Sequence, residues 1–221
     1  MNVLFLHAFP LDGRMWEEQV ARFGGAAPTL YGLGGPSLDE WAAAAVASVE
    51  GDLAVVGSSM GGYAALAAAR VAPERVKALV LVGTRADADT PERRAARDET
   101  IRLLREHGVE ALWERLHGQL FSPAAPADVV VQARQIALEQ RVDDLVRATQ
   151  AMRDRPDSSA LLREFGGRVR VVLGDSDPFV APEHFAELVP SDCLDVVPAG
   201  GHLLSLERPD VVGRALEQVL G

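Results

Sequence analysis

The segment Gly57-Ser-Ser-Met-Gly61 is the most constraining feature of this chain. It directly follows the apolar run 53–56 and leads into a stretch of small residues, 61–70. A G-x-S-x-G sequence in that position predicts a sharp turn from a strand into a helix, with the serine hydroxyl lifted clear of the sheet. The turn needs small neighbours because the serine backbone is strained and the helix packs closely on the strand. We therefore predict that Ser59 is a nucleophile.

Apolar runs of strand length recur along the chain, with helical patterns between them. The runs lie at 3–6, 53–56, 78–82, 169–173 and 194–197, with a weaker one at 28–31. The helical patterns lie at 15–23, 38–49, 62–71, 182–188 and 209–220. Continuous apolar runs are typical of strands buried on both faces of a parallel sheet. The alternation predicts an α/β fold with an open, doubly wound sheet.

The alternation stops between residues 85 and 159, where the sequence is typical of helices with charged faces. We interpret 85–159 as a helical cap inserted into a core made of 1–84 and 160–221. Because the insertion lies between two sheet strands, it would fold over the carboxyl ends of the strands, where open α/β sheets bind ligands. The candidate substrate-binding residues of the cap are Trp113, His117, Phe121 and Met152. The alternative is that these four side chains form the cap's own core.

Charge and cysteine content exclude several functional classes. A formal net charge of −10 over 221 residues argues against nucleic acid or an anionic membrane surface as the main partner, since both would repel the chain. Cys193 is the only cysteine, which excludes an intrachain disulfide and a cysteine-rich metal site. No apolar stretch is long enough to span a bilayer, and the first strand begins without a basic leader. We expect a cytoplasmic protein with no metal and no cofactor.

A serine hydroxyl needs an adjacent base to attack at neutral pH, and the chain has five histidines. His202 follows the last predicted strand, in a loop that could direct its ring toward the predicted nucleophile. His107 and His184 have charged neighbours and are expected to be solvated. We expect His117 to be packed and His7 to order the loop after the first strand. His202 is therefore the predicted base.

The base in turn needs an acid that fixes its tautomer and stabilises the imidazolium. Asp175 and Asp177 both lie on the loop after the predicted strand 169–173. We favour Asp177, in part on the resemblance described below. The alternative role for Asp175 is to cap or shape the turn.

Acyl transfer also needs two backbone N–H donors where negative charge develops on the carbonyl oxygen. Met60, the residue after the nucleophile, is one donor by the geometry of the turn. Phe9 is the other candidate, because it lies in the loop after the first strand and would be beside the nucleophile if runs 3–6 and 53–56 are neighbours. Pro10 has no N–H to donate.

Four motifs together carry a resemblance to the α/β-hydrolase superfamily that covers nearly the whole chain. They are Leu6-His-Ala-Phe-Pro-Leu-Asp12 with Met15-Trp16, Gly57-Ser-Ser-Met-Gly-Gly62, Gly174-Asp-Ser-Asp-Pro178, and Gly200-Gly-His202 with Leu206-Glu-Arg-Pro209. Within the superfamily, the chain is similar to lid-bearing bacterial hydrolases described as 3-oxoadipate enol-lactonase-like, and the cap entry Gly83–Thr90 shares that similarity. The resemblance implies an α/β-hydrolase fold and a catalytic triad in the order Ser59, Asp177, His202.

The chain departs from the family pattern at two points. No antiparallel hairpin precedes the first strand, so we expect a shortened, mostly parallel sheet of about six strands, with helices on both faces and run 28–31 at one edge. A second subunit would cover that edge, which predicts a homodimer. Ala8 stands where the family usually has glycine, and alanine does not freely adopt positive φ.

These inferences predict a cofactor-independent serine hydrolase that acts on a small carboxylic ester, lactone or thioester through an acyl-enzyme. One alternative keeps the triad but hydrolyses or eliminates across a carbon–carbon bond. The other alternative is a binding protein with a silent site, since a fold alone guarantees no activity.

Overall fold

The computed structural model describes residues 1–33 and 35–221. Five strands form one fully parallel sheet in the spatial order β1-β2-β3-β4-β5. The strands are β1 (Asn2–Leu6), β2 (Leu53–Ser58), β3 (Val76–Val82), β4 (Arg168–Gly174) and β5 (Leu194–Val197). All five continuous apolar runs predicted as strands are therefore strands, and the α/β class is confirmed.

Both faces of β1, β2 and β3 are almost entirely buried, which explains why these strands are mainly apolar without alternation. Leu4 and Leu6 belong to one core cluster, whereas Val3 and Phe5 belong to the other. Side chains of successive strand residues point to opposite faces, so each of these four residues is buried against a different helical layer from its neighbours.

The weaker strand expected at 28–31 is wrong, and the sheet has five strands rather than six. Residues Leu30–Gly32 form a 3-10 turn, and among the residues described between α1 and α2 only Ala26 pairs with β1, by a single parallel bridge to Leu4. Gly24 and Gly25 have φ of 68° and 99°, values outside the strand region. Pro28 has no N–H to extend the ladder, so the pairing ends almost where it begins.

Helices cover both faces of the sheet. Those of the core are α1 (Glu17–Phe23), α2 (Leu38–Ala47), α3 (Met60–Val71), α7 (Ser159–Glu164), α8 (Leu204–Glu207) and α9 (Pro209–Leu220). α3 contacts α2 and α7, whereas α9 contacts α1. A full helix at 182–188 is wrong, since only Pro182–Phe185 forms a 3-10 turn.

Three further helices lie between β3 and α7, in the segment interpreted as the cap. They are α4 (Pro91–Leu120), α5 (Ala127–Leu138) and α6 (Val142–Arg153). α4 contacts both α5 and α6. It is bent at Gly108, whose φ of 78° and ψ of −171° are not helical, so it consists of two arms. The limits 85 and 159 for a separate cap stay an interpretation.

Candidate active site

Ser59 lies at the junction of β2 and α3 in a strained backbone conformation, with φ of 51° and ψ of −112°. Positive φ is unfavourable for a residue with a side chain. Two glycines make the turn feasible. A Cβ on Gly57 would lie 2.1 Å from the carbonyl oxygen of Gly61, and one on Gly61 would lie 2.0 Å from that of Leu6. The small residues of the motif are therefore a packing requirement.

Three side chains form a hydrogen-bonded chain at the carboxyl edge of the sheet. His202 Nε2 lies 2.8 Å from Ser59 Oγ, and His202 Nδ1 lies 2.8 Å from Asp177 Oδ2. An ionised carboxylate can only accept, so Nδ1 carries the ring proton and Nε2 can accept from the serine hydroxyl. The Asp177 side chain is fully buried, and its Oδ1 accepts from the backbone N–H of Phe179 at 2.8 Å. The arrangement can move the serine proton to His202.

Asp175 takes no part in this chain. Its exposed side chain accepts from Ser176 Oγ at 3.0 Å, and its N–H donates to the carbonyl of Val197. These contacts belong to the turn after β4, as the alternative role for Asp175 predicted.

The two expected oxyanion donors, Phe9 and Met60, are both found near Ser59 in the structure. Phe9 lines the same cavity as Ser59, and Met60 is the first residue of α3. Within the described part of the chain, neither backbone N–H donates to a protein acceptor. Ser59 and Ala199 are the only non-glycine residues there with positive φ, so Ala8 keeps an ordinary backbone conformation. The substitution of glycine by Ala8 therefore introduces no backbone strain.

A cavity of about 280 Å³ opens above Ser59 and His202. Both arms of α4 contribute to its wall, together with the loops after β1, β3 and β4. The other lining residues are Phe9, Tyr63, Arg85, Asp89, Arg93, Ala96, Arg97, Thr100, Arg115, Leu116, Gln119, Leu120, Met152 and Phe179.

Of the four cap residues expected to bind substrate, only Met152 lines this cavity. Trp113, His117 and Phe121 are not among its lining residues and pack against one another instead. Trp113 is buried in the same core cluster as Val3 and Phe5 of β1. Its ring stacks on that of His117 with 6.0 Å between the ring centroids, and its centroid lies 6.4 Å from that of Phe121. The His117 ring also bonds the carbonyl of Trp113 through Nδ1 at 3.1 Å. The apolar surface of Trp113 is therefore used in packing.

The remaining histidines have structural roles or lie in solvent. His7 accepts from the backbone N–H of Leu30 at 2.9 Å, so it orders a loop, and burial lowers its pKa to about 4. His107 is exposed, as expected. The expectation that His184 is solvated is wrong: it is largely buried, and its Nε2 accepts from the N–H of Ala86 at 3.0 Å. Burial and the charge of Arg85 lower the pKa of His184.

The sequence interpretation missed the arginines of the cavity wall. Arg85, Arg93, Arg97 and Arg115 all line it. A signal was present, because Arg93 and Arg97 have the i, i+4 spacing that places them on one face of a helix. In a chain with 22 Lys and Arg residues, that signal does not distinguish a cavity wall from a solvated face.

The chain belongs to the alpha/beta hydrolase family, whose model matches residues 3–215. The superfamily resemblance is therefore confirmed.

Individual relatives differ in the chemistry that their names state. A thermophilic esterase from Thermogutta terrifontis, solved with malate bound, superposes with a TM-score of 0.90 at 28% identity, covering 100% of this chain and 89% of that one. A putative 2-succinyl-6-hydroxy-2,4-cyclohexadiene-1-carboxylate synthase of Bacillus subtilis is 29% identical over 75% of this chain and 65% of its own length. A 2-hydroxy-6-oxo-6-phenylhexa-2,4-dienoate hydrolase of Burkholderia cepacia is 28% identical over 72% and 59%. The chain thus spans less than two thirds of these last two relatives.

Neither a membrane span nor a metal-binding cluster occurs in the described residues. They contain no helix that is both long and apolar enough to cross a membrane. They also contain no group of three or more His, Cys, Asp or Glu residues arranged to hold a metal ion.

Proposed function

We propose that this protein is a cofactor-independent serine hydrolase that acts on a small carboxylic ester, lactone or thioester. The observation that carries the proposal is the continuous chain from Ser59 Oγ through His202 to the buried carboxylate of Asp177, with 2.8 Å at each step. Nucleophile, base and orienting acid within hydrogen-bond distance are the geometry that acyl transfer requires.

In the proposed mechanism, Ser59 Oγ attacks the substrate carbonyl while His202 Nε2 takes its proton. The N–H groups of Phe9 and Met60 donate to the oxyanion of the tetrahedral intermediate. His202, oriented by Asp177, then returns the proton to the leaving oxygen or sulfur, and an acyl-enzyme forms. A water molecule, deprotonated by His202, attacks the acyl-enzyme and releases the acid.

The similarity to the thermophilic esterase supports ester hydrolysis, because that relative matches the whole of this chain at 28% identity. The names of the other two relatives support a second candidate, carbon–carbon bond hydrolysis or elimination with the same three residues. Product analysis in isotopically labelled water distinguishes hydrolysis, of an ester or of a carbon–carbon bond, from elimination. Hydrolysis incorporates oxygen from water into the product, and elimination does not.

The first experiment is hydrolysis of p-nitrophenyl esters from acetyl to octanoyl by the wild type and by Ser59→Ala. We expect activity in the wild type and its loss in the variant. A wild type that is inactive on every ester, and that an organophosphonate does not label at Ser59, would favour a silent binding protein. Labelling without ester hydrolysis would favour the carbon–carbon chemistry.

We further propose that 85–159 acts as a cap over the site, and that the protein is cytoplasmic and forms a homodimer. Light scattering of the purified chain tests the dimer, with a monomeric mass at all concentrations as the contrary result. The proposed partner is the small-molecule substrate, with no nucleic acid or membrane.

A further inference from the structure

We infer that the cavity beside Ser59 binds a substrate that carries a carboxylate several bonds away from its reacting carbonyl. This inference rests on the proposed function and names the class of substrate. It starts from the charge of the cavity wall, where four arginines face a single acidic residue, Asp89. Such an excess of positive charge is notable in a chain whose formal net charge is −10.

Two of the four arginines share the carboxylate of Asp87, which balances one of their two charges. Arg85 Nε donates to Asp87 Oδ1 at 2.8 Å, and Arg93 Nη2 donates to Asp87 Oδ2 at 2.6 Å. Burial raises the pKa of Asp87, but these hydrogen bonds outweigh it and hold the pKa well below its usual value. Asp87 is therefore ionised, and it occupies donors of both arginines.

The buried carboxylate of Asp89 is likewise shared. Arg155, itself buried, places Nη1 2.8 Å from Asp89 Oδ1, and Arg97 Nε donates to Oδ2 at 3.1 Å. Because Arg155 already balances the charge of Asp89, Arg97 adds an uncompensated positive charge to the cavity wall.

Arg97 and Arg115 keep donors that no protein group uses. In the described residues, the two terminal nitrogens of Arg97 have no protein acceptor, since only its Nε is engaged. The guanidinium of Arg115 makes no hydrogen bond there and only a longer ion pair of 3.5 Å to Glu99. Both side chains line the cavity, Arg97 on the first arm of α4 and Arg115 on the second. A planar guanidinium with free N–H groups is suited to binding a carboxylate.

The position of Arg115 on α4 sets the length of the substrate. The last residue of α4, Leu120, accepts from the N–H of Leu203, next to His202, at 3.0 Å. Arg115 precedes Leu120 by five residues, which is about 7.5 Å along a helix axis. Leu116 and Met152 supply apolar wall in the same cavity. An acyl chain with several methylene groups and a terminal carboxylate fits this spacing.

The test compares p-nitrophenyl hemiesters of adipate, pimelate and suberate with neutral esters in which isopropyl replaces the distal carboxylate. We expect the wild type to have a higher kcat/KM for at least one hemiester than for its neutral counterpart. Arg97→Gln and Arg115→Gln should each lower the ratio of the two kcat/KM values by about tenfold or more, the usual effect of losing a hydrogen bond to a charged group.

Arg102→Gln is the matched control, because Arg102 is an exposed residue of the same helix outside the cavity wall. It removes the same charge and should leave the ratio within about twofold, because a solvent-exposed charge that does not line the cavity makes no contact with the ligand and interacts with it only weakly through water. A ratio near one in the wild type, or an equal fall in Arg102→Gln, would overturn the inference and leave the proposed hydrolase function intact.

If the wild type hydrolyses neither kind of ester, calorimetric titration with free adipate, pimelate and suberate tests the inference directly. Saturable binding by the wild type that weakens about tenfold in Arg97→Gln and Arg115→Gln supports the anion site, although the proposed function has failed. No binding of any of the three dicarboxylates overturns the site.

Discussion

Glu207 Oε2 accepts a hydrogen bond of 2.7 Å from the hydroxyl of Ser122, which lies just beyond the end of α4. Glu207 Oε1 accepts from the backbone N–H of Ser122 at 2.9 Å, and Oε2 also accepts from Gly201 at 3.2 Å. Gly201 and Leu203 flank His202, and Leu203 donates to Leu120. The loop of His202 is therefore bound to the end of α4 on both sides.

We expect Glu207→Gln to lower the free energy of unfolding by about 1–3 kcal/mol, because an amide NH2 would face buried N–H and O–H donors. Urea unfolding measures the change. Glu217→Gln is the control: Glu217 is 52% exposed and pairs with Arg22 at 2.5 Å, and a surface ion pair contributes only about 0–1 kcal/mol. Equal losses in both variants would contradict a special role for the buried carboxylate.

Asp177→Asn should lower kcat by about three to four orders of magnitude, because an amide no longer fixes the His202 tautomer or stabilises the imidazolium. Asp175→Asn tests the same chemical change two residues away, at an exposed side chain that bonds only Ser176. We expect it to change kcat by about twofold at most. Ester hydrolysis under saturating substrate gives both values, and similar losses in the two variants would mean that the acid has been misassigned.

Gly61→Ala should destabilise the fold by about 3 kcal/mol or more, because its Cβ would lie 2.0 Å from the carbonyl oxygen of Leu6, which is backbone and has little room to move. Gly118→Ala makes the same change in α4, where nothing lies within 4 Å of the added Cβ. That variant should gain about 0.5–1 kcal/mol from helix propensity. Thermal unfolding of both proteins checks the opposite signs.

His7 should make stability depend on pH between 6.5, the ordinary pKa of a histidine side chain, and about 4, its pKa in the folded protein. In this window the unfolded chain binds a proton that the folded chain does not, so stability falls as pH falls. The full loss is about 3 kcal/mol for a shift of this size, reached below the folded pKa and absent above 6.5. We expect His7→Gln to flatten this part of the profile of unfolding free energy against pH.

His107→Gln is the control for that profile, since His107 is 63% exposed. A profile that keeps its slope in His7→Gln, or loses it in His107→Gln, would assign the effect to other groups.

The strands could be predicted because most of their residues are buried apolar residues without alternation, most completely in β2. The run at 28–31 failed on the same criterion, since its apolar residues pack as a 3-10 turn while Ala26 makes the only bridge. Hydrophobic content alone does not distinguish these outcomes. The glycines before the run and Pro28 within it carried the missing information.

Ser59 and His202 were chosen as candidates from chemistry and loop position, and Asp177 in part from the family resemblance. The structure brings the three side chains together. The residues that line the cavity could not be predicted from the sequence in the same way. Trp113 is a large aromatic residue of the kind that often lines pockets, yet it is buried in a core cluster. Met152 lines the cavity. Which face of a cap helix meets the core depends on contacts between residues far apart in the chain.

By itself, the sequence determined the α/β class and the strained turn at Ser59. Continuous apolar runs indicate buried strands, and glycines at 57 and 61 indicate a turn that has no room for side chains. Only the tertiary structure decided that Arg97 and Arg115 share a cavity wall with Ser59. Their free donors depend on where Asp89 and Glu99 place their carboxylates and on the bend at Gly108. Such a site is formed by residues that are far apart in the chain, so local patterns of charge do not predict it.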